Sequence, residues 1–172
     1  IVNYQPGELK AVAIYDNSES SCAILRTTGA PVQIRLIADR KVIKADRDDL
    51  AYVTVELIDK EGKVVPDADM KVTLSAVGNG IIRGSGNACP TDMESFRSLS
   101  PKTFKGKAMA ILQPDGNAGE IILNVSAEGM KGASVTIKTV DRMSAKQQGK
   151  DIVTPGSIWK DTDGNPINAH GG

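Results

Sequence analysis

The residues best suited to chemistry lie near the end of the chain, where Asp161, Asp163 and Asn165 alternate within the segment DTDGN. Oxygen-bearing side chains at alternate loop positions turn toward one hard cation, so the segment matches the opening of a calcium-binding loop. The Glu that closes such a loop is missing. An Asp-Gly-Asn turn between two short strands explains the same residues without a metal, and we favour it. We therefore predict no metal and no cofactor, and keep these three residues as the metal candidates to test.

A second acidic cluster consists of Asp46, Asp48 and Asp49, with Lys44 and Arg47 among them. Carboxylates at this spacing again offer oxygen ligands to a hard cation. Because cations lie among the carboxylates, the pattern favours a solvated turn that leads into the next strand.

Trp159 and His170 are the ligand-binding candidates, since each is the single residue of its type in the chain. An indole face can stack on the apolar side of a sugar ring, although packing against a neighbouring domain is the favoured role for Trp159. His170 could act as an acid, a base or a ligand, but no Ser, Cys or Asp stands at a recognisable spacing from it. We predict no catalytic residue in this chain.

Composition excludes several classes of partner. Lys plus Arg number 21 and Asp plus Glu also number 21, so no large basic field exists to attract nucleic acid. No apolar run is long enough to insert into a membrane. Cys22 and Cys89 lie in different candidate modules without metal-ligand spacing, and a disulfide between them is the less favoured alternative. The chain opens IVNYQPG without an initiating Met, as expected of a piece of a longer polypeptide.

Alternation with a period of two dominates the middle of the chain and is typical of half-buried antiparallel strands. In residues 51–58 the side chain of Val55 falls on the apolar face, and in residues 70–77 the side chain of Leu74 does so. Lys71 falls on the opposite, polar face. Aromatic residues make up only 3% of the chain, so Val, Ile, Leu and Ala must fill the core.

The order of these segments predicts an all-β fold, an immunoglobulin-like antiparallel β-sandwich preceded by a partial β-hairpin from an earlier sandwich domain. Residues 1–30 would form that hairpin, with a turn at residues 16–19, and residues 31–140 the immunoglobulin-like domain. Residues 141–152 would be a linker, and residues 153–172 the start of a truncated module. Seven strands are predicted in the sandwich: 33–38, 51–58, 70–77, 81–84, 108–112, 120–127 and 133–140.

Residues 85–106 interrupt the alternation with a connection that is long for a compact domain. Thr91 followed by Glu94 fits a capping box, which predicts one helical turn over residues 92–99. Long loops often carry function, so this loop is a further candidate binding surface.

Three segments resemble the C-terminal region of bacterial glycoside hydrolase family 2 enzymes of the β-galactosidase-like group. They are NYQPGELKAVAIYDN, TTGAP at residues 27–31, and IRLIADRKVIKADRDDLAYVTVELIDKEGKVVPDAD. The resemblance covers residues 1–139 and implies an invasin-like or immunoglobulin-like domain that follows another sandwich. The family's acid/base and nucleophile glutamates belong to an upstream barrel and have no counterpart here. The tail GSIWKDTDGNPINAHGG is similar to the entry of glycoside hydrolase family 43 propellers, where His170 would approach a sugar only in a complete propeller.

The resemblance implies a non-catalytic spacer in a multidomain, exported glycoside hydrolase of carbohydrate degradation, located in the periplasm or at the cell surface. Its partners would be the neighbouring catalytic domains of the same chain, and possible polysaccharide contact stays open. One alternative is a carbohydrate-binding module that uses Trp159 or the 85–106 loop, although sugar platforms generally need more aromatic rings than this chain has. The other is an adhesin-like interaction domain, which would bind a protein rather than a glycan.

Overall fold

A computed structural model describes residues 5–141, in which ten strands and no helix are present. The first two strands form a hairpin and the other eight form a sandwich. Their bounds are β1 Glu8–Tyr15, β2 Ser18–Arg26, β3 Gln33–Ala38, β4 Val42–Lys44, β5 Ala51–Ile58, β6 Thr73–Gly78, β7 Gly80–Gly86, β8 Lys107–Pro114, β9 Gly119–Ser126 and β10 Ala133–Val140.

Two four-stranded sheets make the sandwich, with strand orders β3-β5-β8-β7 and β4-β10-β9-β6. We call them the first and the second sheet. All pairings are antiparallel except that between β4 and β10. This is the strand arrangement of an immunoglobulin domain, in which strands A, B, E and D face strands C, F and G. The structure therefore confirms the predicted all-β, immunoglobulin-like class.

The sandwich has eight strands rather than the predicted seven, because its first strand divides between the two sheets. The Asp39 carboxylate accepts the Tyr52 backbone N–H at 2.8 Å, which takes the place of the next ladder bond and ends β3. After a turn at Arg40, β4 pairs in parallel with the end of β10. A strand of three residues is too short to show a period of two, so the sequence pattern missed it.

The core lies between the two sheets and is entirely aliphatic. Val55 and Leu74 are both buried, as predicted, and Lys71 is exposed. Their neighbours in the cluster come from every sandwich strand except β7, together with residues of the β5–β6 connection. The fully buried members of largest volume are Ile34, Ile43, Leu57, Leu74, Leu112, Ile121, Leu123 and Ile137. Branched aliphatic side chains at alternate positions thus supply the apolar burial that holds the sheets together.

The hairpin β1–β2 turns through two residues, Asp16 and Asn17, which both have positive φ (50° and 57°). Two-residue turns with positive φ suit the twist of hairpin strands, and Asp and Asn tolerate this region better than most residues. The turn is therefore tighter than the predicted four residues, and Ser18 and Glu19 belong to β2. Both faces of the hairpin are exposed, including the apolar side chains of Ile14 and Leu25.

The loop of residues 87–106 contains no helical turn, so the capping-box prediction is wrong. The Thr91 hydroxyl contacts the Cys89 sulfur at 3.4 Å, and it is Asp92 that accepts the Glu94 backbone N–H. Asn87 donates to both the Asp92 carboxylate (2.6 Å) and the Lys102 carbonyl (2.8 Å), which draws the two ends of the loop together. These contacts give residues 87–94 an irregular path in place of a helical turn.

The return half of this loop covers an edge of each sheet. Phe96 accepts the backbone N–H of Ser85 in β7, and Leu99 accepts that of Leu74 in β6. Pro101 and Thr103 continue the pairing along residues 70–72, which explains why β6 begins at Thr73 rather than at the predicted residue 70. Edge strands with unpaired backbone groups recruit foreign strands, so the loop protects the sandwich against such pairing.

The register can be tested with two substitutions at adjacent positions of β6. Leu74→Asp places an unpaired carboxylate in the core, at a cost of several kcal/mol that approaches the whole stability of a domain. Ser75→Asp places the same group on the exposed face. We expect the first variant to lose its thermal transition by circular dichroism while the second melts close to the wild type. Equal melting temperatures would contradict the register.

Candidate functional site

The candidates near the end of the chain lie outside the described residues. This applies to Trp159 and His170 as ligand contacts and to Asp161, Asp163 and Asn165 as metal ligands. Their roles stay predictions.

The acidic cluster at residues 46–49 is the predicted solvated turn. One carboxylate oxygen of Asp46 accepts the backbone N–H groups of Asp48 (3.2 Å) and Asp49 (2.9 Å). Asp49 in turn pairs with Arg40 at 2.9 Å and accepts the Lys44 backbone N–H. Over residues 5–141, no group of three or more His, Cys, Asp or Glu side chains is arranged to hold a metal ion. The same residues include no helix that could cross a membrane.

A cleft of about 1060 Å³ lies where the hairpin meets the sandwich, and we call it the joint cleft. It is lined by the ends of β1 and β2, by residues 27–31 and by residues 65–70. Three carboxylates line it, those of Glu8, Asp67 and Asp69. Glu8 is paired with Arg26 at 2.6 Å, and Asp69 accepts the Lys105 backbone N–H at 3.2 Å. Two of the three thus hold the surrounding structure together.

Asp59 fixes the segment that connects the hairpin to the sandwich. It follows β5 directly and is buried. One carboxylate oxygen accepts the Gly29 backbone N–H at 3.0 Å, and the other accepts those of Glu61 and Lys63 at 2.9 Å each. Three N–H groups from two separate segments therefore converge on one side chain. Sequence reasoning missed this residue, although an Asp before Lys-Glu-Gly is a recognisable turn signal.

The same contacts explain the acidity of this side chain. The backbone N–H of Gly29, with those of Lys63 and Glu61, stabilises the ionised form and lowers the pKa of Asp59 below its ordinary value, although burial opposes the shift. The carboxylate is therefore charged at neutral pH. A charged acceptor makes stronger hydrogen bonds than a neutral one, so the connection is held most firmly in the ionised state.

The base of the hairpin, next to the connection, is closed by two hydrogen bonds. The Gly7 backbone N–H donates to the Thr27 hydroxyl at 3.0 Å, and the Thr27 backbone N–H donates to the Gly7 carbonyl at 2.8 Å. Beyond the connection, Val32 donates to Ile58 and Lys131 donates to Val32. Backbone pairing thus flanks the connection on both sides, and the Asp59 side chain binds the connection itself at Gly29.

A second charged group lies on the outer face of the first sheet. Glu56 is buried between Arg35 and Lys107, which approach its carboxylate oxygens at 2.6 Å and 2.9 Å. Burial disfavours its ionisation, but the hydrogen bonds from Lys107 and Arg35 outweigh that effect and the pKa of Glu56 lies below its usual value. A carboxylate neutralised on both sides is a poor proton donor or nucleophile. These ion pairs therefore link neighbouring strands of the first sheet.

The loop of residues 87–106 carries one reactive atom. Cys89 is a free thiol, as is Cys22, and the Thr91 hydroxyl beside it lowers its pKa below the ordinary value. The recess next to it has a volume of only about 40 Å³, which is too small for a sugar ring. We call this loop the strap, because its return half pairs with the edge strands β6 and β7.

Comparison with known proteins places these features in a family. Residues 34–136 match the family model described as glycoside hydrolase family 2 C-terminal domain 5. A β-galactosidase of Bacteroides ovatus, BoGH2A, is 38% identical over 136 residues, which are 79% of this chain and 16% of that protein. A β-glucuronidase of Formosa agariphila is 25% identical over 143 residues, 81% of this chain and 14% of that one.

Solved structures agree with the sequence relatives. The crystal structure of a glycosyl hydrolase family 2 member from Bacteroides cellulosilyticus superposes with a TM-score of 0.73 at 38% identity, over 79% of this chain and 19% of that one. A β-glycosidase from Bacteroides vulgatus gives a TM-score of 0.70 at 25% identity, over 80% and 18%. The chain thus spans less than a fifth of each of these four relatives.

The role of Asp59 can be tested by Asp59→Asn, which keeps the size of the side chain but leaves one oxygen where two accept. The variant must lose the bond to Gly29 or those to Glu61 and Lys63, so we expect a lower melting temperature at pH 7. Because the native pKa is lowered, the stabilisation is complete above the unfolded pKa near 4 and is lost as pH falls through the native value. The difference between wild type and variant should therefore shrink below about pH 4.

Asp67→Asn is the matched control, since Asp67 is an exposed carboxylate that lines the joint cleft beside the connection. It should change the free energy of unfolding by less than about 0.5 kcal/mol. Urea unfolding of the three proteins at pH 7 and pH 3 is the measurement. A difference between wild type and Asp59→Asn that stays the same at both pH values would contradict the assignment.

Proposed function

The chain belongs to the glycoside hydrolase family 2 C-terminal domain 5 family, and on that basis we propose that it is a non-catalytic accessory domain of a larger, β-galactosidase-like glycoside hydrolase. Two observations together carry the proposal: the family to which the chain belongs, and the small fraction of its relatives' length that it spans. The chain matches enzymes of which it spans 14% to 17%, and the match falls on a domain that the family model itself describes as C-terminal. The parent enzyme would act in carbohydrate degradation, and β-galactosides are favoured because the relative with 38% identity is a β-galactosidase.

Within the parent we assign the hairpin to a preceding sandwich domain. Two strands alone are at best marginally stable in water, and both faces of this hairpin carry exposed apolar side chains. Further strands along its open edges and a second sheet against its apolar face would complete it. Residues 31–140 would then form the accessory domain, residues 141–152 a linker, and residues 153–172 the start of a further module that resembles a family 43 propeller.

The mechanical role follows from the connection. A spacer orients its neighbours only if the joint resists bending, because relative motion is the default for domains joined by a flexible linker. Asp59 binds the connection to the turn after β5, and the backbone pairing of Gly7, Thr27 and Val32 continues on either side. These contacts support a domain that holds the upstream module at a fixed angle.

Catalysis is assigned to the upstream barrel, as the family resemblance implies. The carboxylates that line the joint cleft include Glu8 and Asp69, which already hold Arg26 and the Lys105 backbone. An export destination, in the periplasm or at the cell surface, is part of the same proposal and rests on the resemblance alone.

The proposal predicts that the 172-residue chain hydrolyses no aryl β-galactoside, whereas the parent polypeptide does. This chemistry requires two carboxyl groups placed about the glycosidic bond. In residues 5–141, two of the three carboxylates that line the joint cleft are already engaged, Glu8 by Arg26 and Asp69 by the Lys105 backbone. Release of nitrophenol should stay at the buffer rate across repeated purifications. Turnover that follows the protein peak of the chain alone would refute the accessory role.

Galacto-oligosaccharide titration separates the spacer from a carbohydrate-binding module. Trp159 is the only tryptophan in the sequence, so intrinsic fluorescence reports on it directly. We expect no saturable change, because a spacer needs no sugar site and Trp159 is assigned to domain packing. A saturable change that Trp159→Ala abolishes would favour the binding module instead.

A further inference from the structure

The outer face of the first sheet carries a continuous band of apolar side chains. In the first row Ile37 lies opposite Thr54, which lies opposite Met109, and in the second row Tyr52 lies opposite Ile111. Three of these side chains are well exposed: Ile37 at 47%, Met109 at 42% and Tyr52 at 40%. Because cross-strand partners share a face, these residues form one patch across three strands. We call it the apolar band.

Phe96 extends the band onto β7. Gly86 lies opposite Met109, and a Cβ built on Gly86 would come within 3.0 Å of the Phe96 ring. One edge of the ring therefore lies against a glycine on the same face as Met109, with 74% of the residue exposed. Gly84, opposite Ile111, likewise adds no side chain. The strap thus presents an aromatic ring outward beside the band instead of leaving the edge of β7 polar.

The second sheet provides an internal comparison, because its outer face is mostly polar. In its register Ser75 lies opposite Asn124, and Asn124 lies opposite Ser134. Thr73, Ser126, Thr136 and Lys138 continue that face, and all are exposed. One aliphatic pair, the exposed Val77 opposite Ile122, lies among them, and no Met or aromatic residue does. One sandwich therefore has a Ser-, Thr- and Asn-rich outer face and an Ile-, Met-, Tyr- and Phe-containing outer face. Apolar patches rimmed by polar groups mark interaction surfaces.

The chemistry of the band fits a protein surface better than a sugar. Met and aromatic residues are enriched at the centres of protein interfaces, and charged residues are depleted there. The charged group of Arg35, Glu56 and Lys107 lies at one end of the band, where a polar rim would be. A sugar ring needs hydrogen-bond partners for its hydroxyls beside the stacking ring. Ile37, Met109 and Ile111 offer none.

The small size of the band indicates a partner that belongs to the same polypeptide. Specific interfaces between separate proteins use about 20–30 residues a side, far more than the six of this band. A domain in the same polypeptide needs less contact, because tethering raises its effective concentration to about the millimolar range. The matched enzymes keep more than four-fifths of their length outside the region that this chain covers.

We propose that the apolar band is the docking surface for another domain of the parent polypeptide, an inference that rests on the proposed accessory role. The partner surface would be apolar at its centre, to cover Met109, Tyr52 and Phe96, and would carry polar or charged groups opposite Arg35 and Lys107. The band meets the joint at one point, where Arg35 donates to the Gly62 carbonyl at 2.9 Å within the turn that Asp59 holds. The rest of the contact would hold the domain at a second point.

Oxidation of methionine by hydrogen peroxide tests the docking. Met109 should oxidise readily in the 172-residue chain and about tenfold more slowly in the parent polypeptide, as expected if the contact is closed nine-tenths of the time. An Asn124→Met variant supplies the control on the outer face of the second sheet, and its introduced methionine should oxidise at the same rate in both proteins. Peptide mass spectrometry gives both rates.

Equal oxidation of Met109 in the chain and in the parent would overturn the inference. The accessory role would survive that result, since it is judged by the galactosidase assay of the chain alone. Protection of Met109 that rises with the concentration of the chain would instead identify a second copy as the occupant. Protection by added galacto-oligosaccharide would identify a glycan, and either result would also overturn the docking proposal.

Discussion

The aliphatic contact between the two sheets is the interaction on which every other feature depends. Its members lie at alternate positions of their strands, so each buried side chain fixes which neighbours point outward. Val55 and Leu74 point into the core, and by the same register Thr54 and Ser75 point out. A core of branched aliphatic residues fills the space between the sheets. The chemistry that the chain offers is consequently confined to its ends, its strap and its outer faces.

The joint at Asp59 and the strap both fix backbone segments in place. Asp59 draws three backbone N–H groups onto one buried carboxylate, and the strap pairs its return half with both β6 and β7. The Asp59 carboxylate is occupied by its three donors, and the recess beside Cys89 in the strap has a volume of only about 40 Å³. Both restrain the backbone, at the connection to the hairpin and at the edges of the two sheets. The chain spans less than a fifth of the relatives described above. Holding the neighbouring parts of the polypeptide in a fixed position is a sufficient role for a domain of that size.

The sequence predicted the fold where local pattern and tertiary structure agree. Strands β3, β5 and β10 begin and end where alternation places them, because each has its full length in a sheet with one buried face. The period of two could not reveal β4, which has three residues and is fixed by the Asp39 contact with Tyr52. The capping-box prediction at Thr91 failed because Asn87 and Asp92 close the loop through contacts that local spacing does not encode.

Asp59 and the apolar band were harder to predict from the sequence, because both depend on contacts between residues that are far apart in the chain. Asp59 has a local turn signal, but its bond to Gly29 joins positions 30 residues apart. The apolar band combines Ile37, Tyr52 and Met109 from three strands with Phe96 from the strap, and only the pairing register brings them together. Such surfaces become visible once strand order is known.

Trapping the catalytic nucleophile of the parent polypeptide tests the central claim most directly. Retaining glycosidases form a covalent glycosyl-enzyme intermediate, and a 2-deoxy-2-fluoro galactoside slows its hydrolysis enough for peptide mapping. The accessory account predicts that the labelled carboxylate lies in a peptide outside residues 1–172. A sugar attached to any Asp or Glu within those residues would contradict it.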